Sequence, residues 1–473
     1  MENGLNDFGM IGLGVMGSNL LFNMADHGFH VIGYDTNPVK TSALESTAPK
    51  GTRVKGVNSL QEMVNALQKP RKIMMLVPAG APVDSVISNL IPLLEAGDII
   101  IDGGNSHYTD TLKRITFLKD QKLHFMGIGI SGGEQGARLG PSIMPGGDVE
   151  AYKKVAPILT AVAAKVNDEA CVGYLGKDAA GHYVKMVHNG IEYAIMQLIS
   201  ECYDLMHNGL GLNNDELHEV FATWNSGDQQ SFLLEITQEI FIRKDEKGDA
   251  RLVDMILDKA GAKGTGKWTS QEGLDLPMPI PTIDMAVMMR NLSALPEERK
   301  MASDLYKSQL KKILIPRQDF ITKLHDALYF STIISYAQGL ALLSTASLQL
   351  KMDIPLPEVV RVWKGGCIIR SGLLNYFTDA YSEDALQPNL LLDANISKLL
   401  LQKEQNTAEV ISQAALNGYP AAGMMASLNY FNAYRRKLLP TNLVQAQRDF
   451  FGSHTYERID KTGIFHTEWE KAI

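Results

Sequence analysis

The chain has 473 residues, 45% of them hydrophobic and 21% charged, too many for one hydrophobic core, which implies two or three domains of an ordinary globular protein. The net charge of −8, with no block of Lys or Arg, argues against nucleic acid or an anionic membrane as the main partner, so any anion site has to be built locally. Cys171, Cys202 and Cys367 are far apart, fit no disulfide framework or metal-ligand spacing, and read as reduced thiols of a cytoplasmic protein.

From Phe8 to about Lys177 the β-rich runs FGMIG, HVIGYD, KIMMLV, DIIID and LHFMGIGI alternate with helix-like segments. Such alternation predicts a parallel sheet with helices on both faces. The start of the chain has no basic n-region, h-region or cleavage site, and no apolar run reaches membrane-spanning length, so neither a leader nor a membrane span is expected.

The first strand leads into Gly12-Leu13-Gly14-Val15-Met16-Gly17, a GxGxxG between strand and helix. The first glycine allows the tight turn, the second lets the backbone approach a pyrophosphate, and the third lets the helix pack on the strand, so a dinucleotide is expected here. Asp35 ends the next strand, 23 residues after Gly12. A carboxylate there accepts hydrogen bonds from ribose hydroxyls and repels a 2′-phosphate, which favours NAD over NADP. Thr36, Asn37 and Pro38 supply no arginine; the opposing arrangement has Lys40 or Arg53 folding back onto a phosphate.

Asp102-Gly103-Gly104-Asn105-Ser106 follows the strand DIII, at the carboxyl end where α/β sheets bind ligands. A second loop, Ser131-Gly132-Gly133-Glu134, offers a hydroxyl and successive N–H groups suited to an anion. Either alone reads as a plain turn; together on one edge they point to a site.

After Asp178 long helical patterns dominate, one of them from Ala179 to about Asn208. Within it the run GHYVKMVHNGIEY, residues 181–193, sets Lys185, His188, Asn189 and Glu192 into apolar surroundings. At about 100° per residue these four share one face. A base, a proton donor and two hydrogen-bonding side chains suit acid/base chemistry on a polar substrate, whereas the bland reading is a solvated stripe. Gly261 to Trp268 combines three glycines, Lys263, Thr265 and Lys267 without the Walker spacing, and is either a phosphate cradle or a solvated loop. Residues 322–347 faintly echo the 185–208 helix, as an internal duplication would. The tail from Pro440 is too short and polar to build its own core and is expected to be disordered or docked.

GLGVMG at 12–17, DGGNS at 102–106, SGGEQGAR at 131–138, GHYVKMVHNGIEY at 181–193, KGTGKW at 263–268 and QRDFFGSHTYER at 447–458 give essentially the whole chain a close resemblance to the decarboxylating 6-phosphogluconate dehydrogenases, in order and spacing. The resemblance implies a Rossmann-type dinucleotide-binding domain over 1–178, an all-α substrate and dimerisation domain with an internal duplication over 179–439, and a tail over 440–473 exchanged with the partner subunit of a homodimer. It implies oxidative decarboxylation of 6-phosphogluconate in the pentose phosphate pathway and gluconate utilisation, with NAD or NADP and no metal. By motif, Lys185 becomes the general base and Glu192 the acid that protonates C1 of the product. Asn105, Ser131, Gly132, Gly133, His188 and Asn189 become contacts to the carboxylate and hydroxyls, and Tyr193, Lys263, Thr265 and Arg290 contacts to the phosphate end, joined by Arg448 and His454 from the other subunit. Coenzyme contacts fall to residues 12–17, Asp35, Thr36, Asn37, Val77, Pro78, Ala79 and Asn105.

These roles set electrostatic conditions. A lysine of ordinary pKa, about 10.4, is a poor base at neutral pH, so burial or a cationic neighbour must lower it; Glu192 must be raised to act as a donor. Seven residues of helix separate the two by about 10 Å of rise. The chain departs from the NADP-dependent pattern twice: Asp35-Thr36-Asn37 replaces Asn-Arg-Thr, and Val77-Pro78-Ala79 replaces Val-Lys-Ala. Both remove positive charge, so these residues point to NAD or dual use while family habit points to NADP. Ala262, where a polar residue is common, has no physical reading. A β-hydroxyacid dehydrogenase acting on an unphosphorylated 3-hydroxy acid is the alternative, disfavoured because Lys263, Arg290 and Arg448 would face no phosphate. A catalytically silent dinucleotide-binding protein is disfavoured by retention of both Lys185 and Glu192.

Overall fold

The computed structural model describes residues 4–307 and 309–469. Seven strands, β1 (Phe8–Ile11), β2 (Val31–Tyr34), β3 (Val54–Gly56), β4 (Lys72–Met75), β5 (Ile99–Asp102), β6 (His124–Ser131) and β7 (Ser142–Gly147), form one sheet in the order β3-β2-β1-β4-β5-β6-β7. The strands from β1 to β6 pair in parallel, as the doubly wound pattern requires. Successive strand residues point to opposite faces: Met74, Ile99 and Ile101 enter one apolar core, and Ile73, Met75 and Ile100 the other. Helices covering both faces account for the near-continuous apolar runs.

β7 runs antiparallel to β6, from Met126 opposite Gly147 to Ser131 opposite Ser142, a strand added to the parallel ones that the sequence predicts. Its sequence, SIMPGG, carries a proline and two glycines that hide it from a propensity reading. Proline is tolerated because β7 is the last strand of the sheet. The glycines serve packing: a Cβ on Gly146 would fall 2.2 Å from the amide nitrogen of Gly181. The helix Ala180–Asp204 thus lies with its first turn directly on β6 and β7.

Beyond residue 178 helices predominate. Ala180–Asp204 continues into a π-helical turn, Leu205–Leu210, so the run spans the segment expected to be helical to about Asn208. It packs on Arg317–Gln349, a 33-residue helix that in turn packs on Ala394–Asn417. Arg317–Gln349 corrects one expectation: by length and composition it could cross a bilayer, but 94% of its apolar window is buried inside the protein, as in a core helix. All three cysteines are buried and free.

The chain separates into two compact units, Met1–Ser427 and Leu428–Ile473. The second contains the helix Thr441–Gly452 and an antiparallel pair, Tyr456–Glu457 with Ile464–Phe465. Its carboxylate Asp449 is buried and accepts hydrogen bonds from Thr455, His466, Thr467 and Trp469. The segment judged too polar for a core therefore organises itself around one charged acceptor instead.

Candidate active site

Close packing of the helix Ala180–Asp204 on β6 places the reactive face. A Cβ on Gly129 would fall 2.4 Å from Cβ and 2.9 Å from Cγ of Lys185, so only glycine leaves a channel for the lysine stem. Lys185 is 7% exposed. Its Nζ donates to Asn189 Oδ1 at 2.9 Å and lies 3.5 Å from His188 Nδ1. Burial lowers the lysine pKa, opposed in part by the charge of Glu192, which is the direction a general base needs. Burial raises Glu192, against the pull of Lys185 and Arg290. The two groups are displaced in opposite directions on one helix face, as an acid/base pair requires.

His188 is fully buried, and burial together with the charge of Lys185 pushes its pKa well below the usual value, so it is neutral. Its Nδ1 is 3.1 Å from Asn189 Oδ1 and its Nε2 is 3.3 Å from Ser131 Oγ. A neutral ring satisfies both with the proton on Nδ1 and the Ser131 hydroxyl donating to Nε2. Asn189 Nδ2 donates to Thr265 Oγ1 at 3.1 Å, which ties the reactive helix to the lysine-bearing loop. Arg290 stacks on Tyr193, with Cζ 3.6 Å from the ring centroid, and its Nη1 donates to the Gly261 carbonyl at 2.8 Å.

These segments converge on a cleft of about 620 Å³ lined by Asn105, Ser131, Gly132, Gly133, Lys185, Asn189, Glu192, Tyr193, Lys263, Thr265 and Arg290. His188 supports the lining from behind. Gly132 and Gly133 adopt φ of 118° and 63°, conformations that side chains disfavour. The Asn105 loop hangs from Asp102, fully buried, which accepts from the Gly104 amide at 3.0 Å and the Ser106 hydroxyl at 2.6 Å and sits 3.6 Å from Arg114.

The coenzyme end is built at the carboxyl ends of β1, β2 and β4. A Cβ on Gly12 would fall 2.4 Å from the Leu76 carbonyl oxygen, one on Gly17 would fall 1.9 Å from that of Gly12, and Gly14 faces open space. The helix Val15–Asp26 starts at Gly14 with no side-chain cap, so its first amides are free for an anion such as a pyrophosphate. These features fit a dinucleotide. Met16 reaches the cleft lining, and Val77-Pro78-Ala79 follow β4 on the same sheet edge. Asp35 is more engaged than the sequence suggested. Oδ2 accepts from the Leu13 amide at 2.7 Å, Oδ1 accepts from Asn37 at 2.8 Å, and Lys40 Nζ is 3.5 Å away. Burial works against ionisation, yet the amides of Asn37 and Leu13, with Lys40, hold the carboxyl below its ordinary pKa.

Several contributors carried no motif. Met196 and Ile368 line the cleft without chemistry legible in sequence. Glu272 accepts from Tyr108 at 2.9 Å and Tyr183 at 3.3 Å, joining three helices; only its place four residues beyond KGTGKW hinted at it. Arg448 and His454 belong to the second unit, where Arg448 Nη1 donates to Gln445 at 3.2 Å and His454 makes an edge contact with Phe451.

Family comparison matches residues 7–176 to the NAD binding domain of 6-phosphogluconate dehydrogenase and residues 181–469 to the 6-phosphogluconate dehydrogenase C-terminal domain. A decarboxylating 6-phosphogluconate dehydrogenase of Synechocystis is 50% identical over 98% of this chain and 97% of its own length. An NADP(+)-dependent, decarboxylating 6-phosphogluconate dehydrogenase of Bacillus subtilis is 49% identical over 98% of this chain and 99% of its own length. A Plasmodium falciparum 6-phosphogluconate dehydrogenase, whose structures are described as apo, with its cofactor NADP+ and with its substrate 6-phosphogluconate, superposes with a TM-score of 0.95 at 43% identity, covering 98% of this chain and all of that one.

Proposed function

The chain belongs to the 6-phosphogluconate dehydrogenase family, and from that premise we propose how its own residues convert 6-phosphogluconate to ribulose 5-phosphate and carbon dioxide with reduction of NAD(P)+. The observation that carries the reading is the pair Lys185 and Glu192, lowered and raised by burial within one cleft. When bound, the dinucleotide supplies the hydride acceptor. Neutral Lys185 takes the C3 hydroxyl proton as the hydride leaves that carbon, giving a 3-keto acid. The β-keto arrangement lets carbon dioxide depart with the bonding electrons held as an enediol, while protonated Lys185 donates to the C3 oxygen. Glu192 then protonates the carbon that becomes C1, and Lys185 recovers the enol proton as the ketone forms.

Ser131, Gly132, Gly133, Asn105, His188 and Asn189 orient the carboxylate and hydroxyls, and Tyr193, Lys263, Thr265 and Arg290 the phosphate end. Neutral His188 acts through Ser131 and Asn189, which it holds in place without adding a charge that would push Lys185 lower still. An unphosphorylated 3-hydroxy acid would leave Lys263 and Arg290 without an anion, which disfavours the β-hydroxyacid dehydrogenase reading.

The protein acts as a cytoplasmic homodimer with exchanged tails, Arg448 and His454 completing the phosphate end of the neighbouring site. Its working divisions are 1–178 for coenzyme, 179–439 for substrate and dimerisation, the latter built on a duplication of the helices Ala180–Asp204 and Arg317–Gln349, and 440–473 for the tail. Asp35 and the lack of an arginine at Thr36 favour NAD or dual use, Asp35 keeping one accepting position on Oδ1 for a ribose hydroxyl. Initial rates with 6-phosphogluconate, run in parallel with NAD and NADP and with ribulose 5-phosphate identified as product, test both levels. Activity with neither coenzyme refutes the catalytic reading, and a clear preference for NADP refutes the role given to Asp35.

A further inference from the structure

The tail holds a polar hub that the mechanism above leaves unused. Asp449 is fully buried and saturated. Oδ1 accepts from the Thr455 amide at 2.9 Å and from His466 Nδ1 at 2.8 Å. Oδ2 accepts from the Thr467 amide at 3.0 Å and from Trp469 Nε1 at 2.9 Å. Two donors to each oxygen use the full accepting capacity of a carboxylate, which no neutral side chain of this size reproduces. Arg448 precedes this residue directly, and His454 lies between two of the residues bonded to it. Ser453 donates its amide to the Asp449 carbonyl at 2.9 Å, and Thr455 to its carboxylate.

Ser453 and Thr455 both adopt left-handed φ, 51° and 58°. That conformation is uncommon for serine and a genuine outlier for a β-branched residue, and it persists only where the surroundings impose it. Here both amides are pulled onto Asp449, so the direction of the His454 side chain follows from this one acceptor. The ring is confined on its other side as well, since a Cβ on Gly452 would fall 2.7 Å from His454 Nε2. Among the described residues the Arg448 guanidinium has one hydrogen bond, an exposed one to Gln445.

We propose that Asp449 is a positioning residue that fixes Arg448 and His454 in the relative geometry with which the tail grips the phosphate end of the substrate. This rests on the reading that the exchanged tail completes the neighbouring subunit's site. Asp449 itself touches no substrate; its effect is to hold in place the turn that carries His454 and the backbone from which Arg448 reaches out.

The test uses the full-length protein with Asp449→Asn, Gly452→Ala, Arg448→Ala and His454→Ala, and the combination of Asp449→Asn with Arg448→Ala and His454→Ala. KM for 6-phosphogluconate, KM for coenzyme, kcat and sedimentation at assay concentration are measured for each. The expected result is that Asp449→Asn and Gly452→Ala raise KM for 6-phosphogluconate about tenfold or more, the scale of losing a charge-assisted contact. Coenzyme KM and the dimer should be unchanged, and Asp449→Asn should add less than about twofold on the Arg448→Ala, His454→Ala background. A merely structural hub would instead lower assembly or all parameters together and would stay additive on that background. Dissociation of Asp449→Asn, or full additivity, overturns the inference. So does a raised KM in Arg448→Ala and His454→Ala with none in Asp449→Asn and Gly452→Ala, which leaves the reading of the tail intact. Silence of Arg448→Ala and His454→Ala themselves refutes that reading instead.

Discussion

Replacing Gly129 by alanine drives a methyl group into the stem of Lys185. The added Cβ would fall 2.4 Å from Cβ and 2.9 Å from Cγ of the lysine, about 1 Å short of an ordinary carbon contact. Neither partner gives way easily: Gly129 lies inside β6 and is paired with Met144 of β7, and the helix above rests on the Gly127 and Met144 carbonyls through Gly181. Overpacking of this kind costs about 1–3 kcal/mol of stability. A displacement of about 1 Å in a reacting group costs on the order of 100-fold in rate. Gly339→Ala is the control, because its Cβ would fall 2.5 Å from Ile191 on another face of the same helix. Thermal unfolding should show both variants destabilised to a similar degree. Initial rates of coenzyme reduction at saturating substrate should fall about 100-fold for Gly129→Ala and by less than about threefold for Gly339→Ala. Equal rate losses in the two would mean that the position of the whole helix, not of the Lys185 stem, limits turnover, and an active Gly129→Ala would refute the argument outright.

Glu192→Gln keeps the shape of the acid but removes its proton; deuterium incorporation at C1 of ribulose 5-phosphate should slow by about 10²–10⁴-fold, and incorporation at the unaltered rate rules out Glu192 as donor. Activity should be bell-shaped in pH: it rises as Lys185 loses its proton, below the pH of an ordinary lysine because burial lowers it, and falls as Glu192 loses its proton, above the pH of an ordinary carboxylate because burial raises it. An alkaline limb that survives unchanged in Glu192→Gln would contradict the assignment. Thr36→Arg places a guanidinium beside the adenosine ribose and should move the ratio of kcat/KM for NADP over NAD upward by about tenfold or more; an unmoved ratio would show that this position does not set the preference.

Local pattern alone determined a good part of this protein. The alternation of strands and helices before residue 178, the glycine turn after β1 and the helical spacing of Lys185, His188, Asn189 and Glu192 are short-range features, so chain order suffices to place them. Only tertiary structure decided the rest. β7 was hidden because Pro145 is tolerated by its edge position and Gly146 is required by close contact with Gly181, neither of which is strand propensity. The apolar length of Arg317–Gln349 takes its meaning from the helices that bury it. The pKa displacements of Lys185 and Glu192 come from burial, a property no sequence neighbour confers. Asp449 looked like one more charge in a polar tail; its donors lie 6 to 20 residues away along the chain, and a site assembled from such separated groups exists only once the chain has folded around it.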